Sequence, residues 1–346
     1  MNRERIVRAT IGPATGIAAA MLVGNILAWA VGASPRRVWA LLFAGTWGSS
    51  YGIGQVLFKA TPLALAGLSV SVALRAGLFN VGAEAQLVAG ALGTTLAGIA
   101  LPPGTPAPIA ILVCTIAGMV AGGLCGAAPG YLKARFGAHE VIGTIMMNFI
   151  VLAFVQWLVL PGRLGQPESQ STASVIESAR IPRLSVVFPS LAGSSASFAV
   201  MAVLLAGLGV HALFARTRLG YELRVVGLSA GAAAAGGIDR GRTIVAAMAI
   251  SGAIAGLAGL GTVLGFRGYF EVGFSSGVGF MGIAVAMLGR ASPWGVVLSA
   301  ILFGTLSQGA LSIHAVVPKE LVDVLQAVVV LAVVGASSDL IVRRPS

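Results

Sequence analysis

Residues 108–131 read PIAILVCTIAGMVAGGLCGAAPGY, an apolar stretch without a single charged side chain. At about 1.5 Å per residue, an α-helix of this length crosses the ~30 Å hydrocarbon core of a bilayer. Gly118, Gly122 and Gly126 recur within it at four-residue spacing, a pattern that lets two membrane helices approach closely. The stretch therefore predicts a tightly packed transmembrane helix.

The rest of the chain has the same character. Of its 346 residues, 57% are hydrophobic and only 10% are charged, and the mean hydropathy is +0.95. Soluble domains carry ~25% charged residues, so a cytosolic enzyme, a disordered chain and a coiled coil are excluded. The apolar runs do not alternate with polar residues, which excludes a transmembrane β-barrel. We predict an all-α polytopic membrane protein in which residues 1–346 form one transmembrane domain of about ten helices. The predicted spans are residues 10–32, 56–78, 85–101, 108–131, 141–161, 196–215, 243–265, 275–289, 294–313 and 321–336.

The net charge of +11 arises from basic residues in the short links between apolar runs. Cytoplasmic links of membrane proteins carry an excess of Lys and Arg. With the amino terminus inside, fourteen of the 22 basic residues fall in inside links and eight in outside links, so both termini are predicted to be cytoplasmic. Nucleic-acid binding is not expected, because no basic stripe with interleaved aromatic residues occurs. The first span could instead be a signal peptide cleaved after Ala28-Trp29-Ala30, but its long apolar stretch favours an uncleaved helix.

Three links are longer than a turn requires. Residues 34–55 are predicted to form an external interfacial segment, because their aromatic residues recur at four-residue spacing. Residues 162–195 form a polar external loop, and a plain connector is the alternative for both segments. Residues 216–242 are predicted to be cytoplasmic and carry five arginines beside an Ala/Gly-rich stretch with helical potential. We interpret this last link as a docking surface for a cytoplasmic partner, and a simple positive-inside anchor is the alternative.

Motifs for catalysis or nucleotide binding are missing from the sequence. No lysine follows a glycine, so the chain has no phosphate-binding loop of the Gly-x-x-x-x-Gly-Lys-Ser/Thr type and is not expected to bind ATP. Gly277, Gly279 and Gly282 match Gly-x-Gly-x-x-Gly, but without a preceding strand they are better explained by close helix packing. The three histidines are isolated, so no metal site is predicted. Cys114 and Cys125 would lie ~16 Å apart on one helix and cannot form a disulfide bond.

Polar residues inside predicted spans are costly and are therefore candidates for function. Asn80, Glu84 and Gln86 surround the inner start of the third span, and Asn148 and Gln156 lie ~12 Å apart along the fifth. Another amide lies in the ninth span, at Gln308. No ionisable residue occupies the middle of a span, which favours a path for a neutral polar solute with energy supplied elsewhere. An interhelical hydrogen bond is the alternative for each amide.

Several motifs together resemble the permeases of bacterial ABC importers for branched-chain amino acids, simple sugars and nucleosides. Within that group the longer permease of nucleoside importers is the most similar. The resemblance covers roughly residues 56–335. Its motifs are KATP at 59–62, LRAG at 74–77, FNVGAEAQLV at 79–88, PGYLK at 129–133, EVIGTIMMN at 140–148, RTRLGYELRVVG at 216–227, GFMGIAVAMLGR at 279–290 and Phe303-Gly304.

The resemblance implies a type II ABC importer permease fold in the bacterial plasma (inner) membrane. It also implies several partners besides membrane lipid: a cytoplasmic ABC ATPase, often with two fused halves, a second and shorter permease, and an extracytoplasmic solute-binding lipoprotein. ATP and Mg²⁺ would be bound by the ATPase, and this chain would bind no cofactor. Asn80, Glu84, Gln86, Asn148 and Phe280 are the candidates near the translocation path. The ATPase would dock around residues 220–238, where the coupling candidates are Gly220, Glu222, Arg224, Gly227 and Ile238.

The sequence departs from the family pattern at two places. After Gly227 the family usually has an Asn-Pro pair, whereas residues 228–238 read LSAGAAAAGGI here, which predicts a weakened helix cap. Met281 stands where an Asp is frequent, which predicts a somewhat different solute preference.

The function expected from these features is import of a nucleoside or a similar neutral polar solute by an ATP-driven, binding-protein-dependent importer. A permease for a simple sugar such as a pentose is the first alternative. A secondary carrier or channel that works alone is disfavoured by the lack of mid-span carboxylates. A membrane-embedded enzyme or an assembly scaffold would need clustered His, Asp or Ser near one interface, and the sequence has no such cluster.

Overall fold

The structure is a computed structural model that describes residues 21–314, except 27, 31 and 168, together with the isolated positions 317, 324, 327 and 328. Most of the first predicted span (10–32) and nearly all of the last one (321–336) lie outside the described residues. Both chain termini lie outside them as well. The part of the chain that the structure describes contains helices, short 3₁₀ turns and four isolated β-bridges, and no named strand.

Eleven helices are labelled α1 to α11 in chain order within the described residues. Beyond Gly256, α9 is interrupted only at Leu257 and continues as a π-helical segment, Leu260–Arg267. The helices are α1 (Pro35–Gly45), α2 (Ser50–Arg75), α3 (Ala83–Ala100), α4 (Ala107–Phe136), α5 (Glu140–Leu158), α6 (Val200–Arg216), α7 (Arg218–Leu228), α8 (Ala230–Ala235), α9 (Arg240–Gly256), α10 (Val278–Leu288) and α11 (Pro293–Ile313).

Five of the described helices are long and apolar enough to cross a membrane, by length and composition. The number rises to six if α6 and α7, which are bent by 75° at Thr217, count as one broken span. The membrane-spanning character of the predicted all-α fold is therefore confirmed. The five helices are Ser50–Arg75, Ala107–Phe136, Glu140–Leu158, Arg240–Arg267 and Pro293–Ile313.

The interfacial segment predicted for residues 34–55 has a different boundary in the structure. Helix α1 covers its first half and packs against α11. The second half belongs to α2, because the Ser49 hydroxyl accepts a hydrogen bond from Gly52 N at 3.0 Å and caps α2 there. Phe43 and Trp47 are exposed, as a position at a membrane interface would require.

The short eighth predicted span, residues 275–289, is also different from its prediction. Helix α10 covers only Val278–Leu288, about 16 Å, which is too short to cross the hydrocarbon core. It does not continue into α11, because Arg290 and Ala291 adopt positive φ angles of 53° and 50° and the chain reverses before Pro293. The π-helical segment and α10 are joined by the non-helical residues 268–277.

Close packing of glycines joins α4 to α9 and α3, as the sequence predicts. Helix α4 packs extensively against both α9 and α3. A Cβ atom added at Gly252 of α9 would collide with the carbonyl oxygen of Gly122 in α4, and one added at Gly90 of α3 would collide with Gly256. Such contacts are possible only between residues without side chains. They bring the helix backbones close together, and in lipid this close packing, rather than the hydrophobic effect, holds helices together. Gly118 and Gly126 meet the same face of α9.

Two of the three glycines of the Gly-x-Gly-x-x-Gly match pack against helices, as interpreted from the sequence, whereas Gly277 has open space around it and a positive φ of 82°. A Cβ at Gly279 would collide with the backbone of Glu84 in α3, and one at Gly282 would approach the backbone of Ala66 in α2. Helix α10 is therefore pressed against the first turn of α3 and the middle of α2. This placement brings the start of α10 to the candidate residues.

Candidate translocation site and coupling loop

Asn80 and Gln86 form one buried hydrogen-bonded group with two serines. Asn80 Nδ2 donates to Gln86 Oε1 at 2.8 Å and to Ser251 Oγ at 2.8 Å, and Gln86 Nε2 donates back to Asn80 Oδ1 at 3.2 Å. Ser251 Oγ donates to Ser69 O at 2.7 Å. The group links α2, α3 and α9, and Ser251 lies about 16 Å along α9 from Arg240, near the middle of the 28-residue apolar span Arg240–Arg267. Hydrogen bonds within the protein thus replace water at this depth.

Glu84 binds the start of α10. Its Oε1 accepts from Ser275 Oγ at 2.5 Å and from Gly277 N at 3.2 Å, and its Oε2 accepts from Gly279 N at 2.6 Å. The first N–H groups of a helix have no partner within the helix and favour negative charge, so the carboxylate caps α10 from a neighbouring helix. Glu84 is 4% exposed. Its role in the described structure is to fix α10 against α3.

Asn148 supports the entry into α3. Its Oδ1 accepts from Ala85 N at 3.0 Å, and its Nδ2 donates to Val81 O at 3.0 Å. Residues 76–82, between α2 and α3, are not helical, so their backbone groups need partners of this kind inside a membrane protein. Asn148 is buried and joins α5 to this break in the helical structure.

The structure thus brings four of the five path candidates together, and the fifth, Phe280, directly follows Gly279, whose N–H binds Glu84. Asn80, Glu84, Gln86 and Asn148 all contact the segment that connects α2 to α3 or the first turn of α3. We call these four residues and their serine partners the polar junction. Phe280, in the first turn of α10, is 46% exposed and does not contribute a polar group to it. Met281 is half-buried and packs against the hydrophobic core. The partners are Ser69, Ser251 and Ser275.

The three serines were not among the residues predicted from the sequence. A hydroxyl inside an apolar helix often donates back to a carbonyl one turn earlier, as Ser71 does to Leu68 O at 2.7 Å, so serine alone is a weak signal. A better signal would have been the pairing of a serine with small residues on one face, as in Ser251-Gly252. That pairing places the hydroxyl where two backbones approach closely.

The predicted coupling loop, residues 216–242, contains two short helices and the start of α9. Thr217, Ser229 and Asp239 accept hydrogen bonds from the first turns of α7, α8 and α9. After Gly227, Ser229 Oγ accepts from Ala232 N at 3.2 Å and caps α8 where the family usually has an Asn-Pro pair, and the weakened cap stays a prediction. Ile238 packs against the core and closes the turn before α9.

Helix α7 packs its small and apolar residues on the C-terminal ends of α2 and α6. A Cβ at Gly220 would collide with Leu213 O, and one at Gly227 would collide with Arg75 O. Arg75 also stacks over the ring of Phe214 at 4.5 Å, and Arg224 Nη2 donates to Phe214 O at 3.2 Å. A displacement of α7 would therefore be transmitted directly to α2, which leads to the polar junction.

Glu222 lies on the other side of α7. It forms an ion pair with Arg218 at 2.8 Å, and the Arg218 side chain is 88% exposed. Arg224 and Tyr221 are exposed as well. Arg218 and Tyr221 are the most exposed side chains of this surface, whereas the Glu222 side chain is only 20% exposed and Arg224 also binds Phe214 O.

The external loop predicted for residues 162–195 is held by backbone hydrogen bonds. Thr172 N donates to Phe270 O at 2.9 Å, Val175 N donates to Gly268 O at 2.8 Å, and Ile181 N donates to Leu264 O at 3.0 Å. The loop is thus fixed to the end of the π-helical segment and to the non-helical residues that follow it. Within the part of the chain that the structure describes, no three His, Cys, Asp or Glu side chains could hold a metal ion.

Comparison with known proteins agrees with this architecture. Residues 52–334 match the family described as "Branched-chain amino acid transport system / permease component". The chain belongs to this permease family. It is a multi-pass membrane protein of the plasma (inner) membrane and a membrane transport subunit rather than an ATPase.

Three relatives of this permease cover nearly its full length. It is 37% identical to the guanosine ABC transporter permease protein NupP of Bacillus subtilis, over 94% of this chain and 92% of that relative. It is 32% identical to the glucose ABC transporter permease protein TsgB13 of Haloferax volcanii, over 92% and 85%. It is 31% identical to the nucleoside ABC transporter permease protein NupB of Lactococcus lactis, over 95% and 91%. No solved structure gives a significant match.

Proposed function

We propose that this permease is the membrane subunit of an ATP-driven, binding-protein-dependent importer that moves nucleosides, or a similar neutral polar solute, into the cytoplasm. Two relatives whose names include guanosine or nucleosides support the solute class. The observation that carries the mechanism is the contact of α7 with the end of α2, where Gly227 meets Arg75 and Gly77. It couples an exposed surface to the helix that leads to the polar junction.

In this proposal the permease has about ten spans in a type II importer fold, with both termini in the cytoplasm. A cytoplasmic ABC ATPase, with two fused or separate nucleotide-binding halves, binds ATP and Mg²⁺ and docks on residues 216–242. Gly220, Gly227 and Ile238 keep the docking helices packed on the bundle, and Glu222 and Arg224 face the ATPase. A second, shorter permease completes the pathway, and an extracytoplasmic lipoprotein delivers the solute.

The transport cycle in this proposal is alternating access around a fixed site. ATP-driven closure of the ATPase displaces α7, and α7 moves the inner end of α2. The polar junction of Asn80, Glu84, Gln86 and Asn148 keeps α3 and α10 together while the bundle rocks. Phe280, exposed beside the Glu84 cap, lines the path at this level.

Reconstituted uptake tests the proposal. Proteoliposomes that contain the permease, its shorter relative, the ATPase and the binding protein are loaded with ATP, and uptake of radiolabelled guanosine is measured. We expect uptake to be lost when the ATPase, the binding protein or the second permease is omitted in turn. Unchanged uptake without the ATPase would show that the chain is a secondary carrier or a channel.

A simple sugar is the second candidate solute, because the glucose permease of Haloferax volcanii is 32% identical to this chain. The same proteoliposomes distinguish the two classes when labelled guanosine, ribose and glucose are offered in parallel. Solute-stimulated ATP hydrolysis by only one of the three would assign the class.

A further inference from the structure

A cavity of about 570 Å³ lies where the end of α5 meets the external loop. Its volume falls within the range of about 300–1,000 Å³ that is usual for small-molecule sites. Its walls mix polar and apolar groups, and none of the described lining residues is charged. They include Gln156, Val159 and Pro161 at the end of α5, Ser169 and Gln170 of the external loop, and Val272.

A larger cavity of about 780 Å³ has the opposite character. It lies between α4, α6 and α9, and Thr115 is the one polar residue among the described residues of its wall. Thr115 Oγ1 already donates to Ile111 O at 2.6 Å. Such a wall suits lipid chains, because a polar solute would lose its hydrogen bonds with water there and gain none. The smaller cavity is therefore the better site for a polar solute.

Gln156 is the residue that distinguishes the smaller cavity. It is exposed on α5, whose neighbouring exposed side chains include Phe154 and Trp157. Its side-chain amide makes no hydrogen bond to any residue that the structure describes. Gln156 lies two residues before the end of α5 and lines the cavity, so its amide is available to water or to a polar solute there.

The opposite wall is fixed in place by the backbone. Val272 N donates to Gln170 O at 2.9 Å, and Thr172 N donates to Phe270 O, so the external loop and residues 268–277 are held together along this edge. The side-chain amide of Gln170 remains exposed and makes no hydrogen bond among the described residues. Ser169 Oγ lies 2.6 Å from Ser171 Oγ. The cavity is thus preformed, with amide groups on both sides.

The non-helical residues 268–277 lead from this cavity to the polar junction. Val272 lines the cavity, and Ser275 and Gly277 donate to the Glu84 carboxylate. Gly273 and Ser276, between them, are exposed. Within a membrane protein, non-helical backbone is tolerated only where it is buried in protein or lines a water-filled space. The exposed part of this segment therefore indicates a polar route along it.

We propose that the cavity between Gln156 and Gln170 is the outer solute-binding site of the permease, through which the solute enters after release from the binding protein. This inference rests on the proposed import function and adds a site to it. Each amide offers two donors and an acceptor, which fits a neutral solute rich in hydroxyl groups or ring nitrogen and oxygen atoms. The absence of charge among the described lining residues disfavours an ionic solute.

Gln156→Met tests the site in the complete importer. Methionine has a similar size and suits an apolar membrane helix, so the variant is expected to fold, while both donors and the acceptor are lost. Gln170→Met is the second variant. The matched control is Gln166→Met, since Gln166 is an exposed residue of the same loop that does not line the cavity. We expect guanosine uptake to fall about 5- to 20-fold in both cavity variants and by less than about 2-fold in the control.

A second readout is independent of transport rate. Cysteine is introduced at position 156 or 166, with Cys125 replaced by serine, and the assembled complex is treated with a membrane-impermeant thiol reagent in the presence or absence of saturating guanosine. We expect guanosine to protect position 156 and to leave position 166 equally reactive. Wild-type uptake by Gln156→Met together with no protection at position 156 would overturn the site while leaving the importer function intact. If the wild-type complex takes up neither guanosine nor a sugar, the proposed function fails, and the site inference fails with it.

Discussion

Asn148 and Gln156 lie two turns apart on α5, yet the structure gives their amides opposite surroundings. Asn148 is 4% exposed, and both ends of its amide bind the backbone at Val81 and Ala85. Gln156 is exposed beside a cavity and has no hydrogen-bond partner among the described residues. The same functional group therefore holds helices together at one position and faces open space at the other. Burial and partners, rather than residue type, distinguish a structural amide from a candidate solute contact.

The largest effect is expected from breaking the glycine packing behind the polar junction. Gly252→Leu places a side chain against Gly122 O, and its Cβ would also lie 3.2 Å from Gly126 Cα. Because backbone atoms cannot move aside, the cost should exceed the ~1–3 kcal/mol typical of overpacking. We expect little monodisperse protein after detergent extraction. Gly209→Leu is the control, since no atom lies within 4 Å of its added Cβ. Normal yield and thermal stability of Gly252→Leu would contradict the packing.

A slightly smaller effect is expected from removing the acceptor that caps α10. Glu84→Ala leaves the Ser275 hydroxyl and the Gly277 and Gly279 N–H groups without a partner, and each unsatisfied buried donor costs about 1–3 kcal/mol. We expect a lower thermal unfolding midpoint and at least a ~10-fold loss of uptake in the reconstituted complex. Glu84→Gln keeps an acceptor oxygen and should lose less. Glu177→Ala, at a side chain that is 89% exposed, is the control. Glu84→Ala with wild-type stability would show that the cap does not hold α10.

Asn148→Ala compares the two amides of α5 directly. It removes one donor and one acceptor from backbone groups that remain buried, so we expect a loss of stability of about 1–3 kcal/mol. It should also lose nucleoside-stimulated ATP hydrolysis in the assembled complex. Gln156→Met, by contrast, should leave the unfolding midpoint unchanged. Equal thermal shifts for the two variants would remove the distinction between the polar junction and the cavity.

The sequence was sufficient for the bundle and for most of the polar junction. Uncharged apolar runs predict membrane helices, because backbone groups in lipid must form hydrogen bonds within their own segment. Gly118, Gly122 and Gly126 pack against neighbouring helices as predicted. Polar residues within spans are rare, which is why Asn80, Glu84, Gln86 and Asn148 could be selected before their contacts were known.

The sequence was not sufficient for the segment before α10. Residues 275–277 read SSG and are the start of the predicted span 275–289, but Ser276 and Gly277 adopt positive φ angles of 44° and 82°. The Glu84 carboxylate comes from a helix nearly two hundred residues earlier and fixes the helix start at Val278. A long-range cap of this kind leaves no local pattern. The outer cavity was missed for the same reason, because its two walls come from distant parts of the chain.

The smallest effect on stability is expected on the exposed face of α7. Arg218 and Glu222 form an i,i+4 ion pair at 2.8 Å, but the arginine is 88% exposed, so solvent screening limits the pair to about 0.3–0.5 kcal/mol. Glu222→Ala should therefore leave the unfolding midpoint almost unchanged. If α7 meets the ATPase as proposed, the same variant should weaken retention of the ATPase on immobilised permease and lower uptake. Glu177→Ala is the matched control, because it removes the carboxylate of another surface ion pair, with Arg180, that lies outside residues 216–242. Weaker retention for Glu222→Ala alone would show that Glu222 binds the ATPase without stabilising the fold. Gln156 differs from Asn148 on α5 in the same way, since it is expected to contact solute without stabilising the fold. Wild-type retention of the ATPase by Glu222→Ala as well as by the control would place the ATPase contact elsewhere.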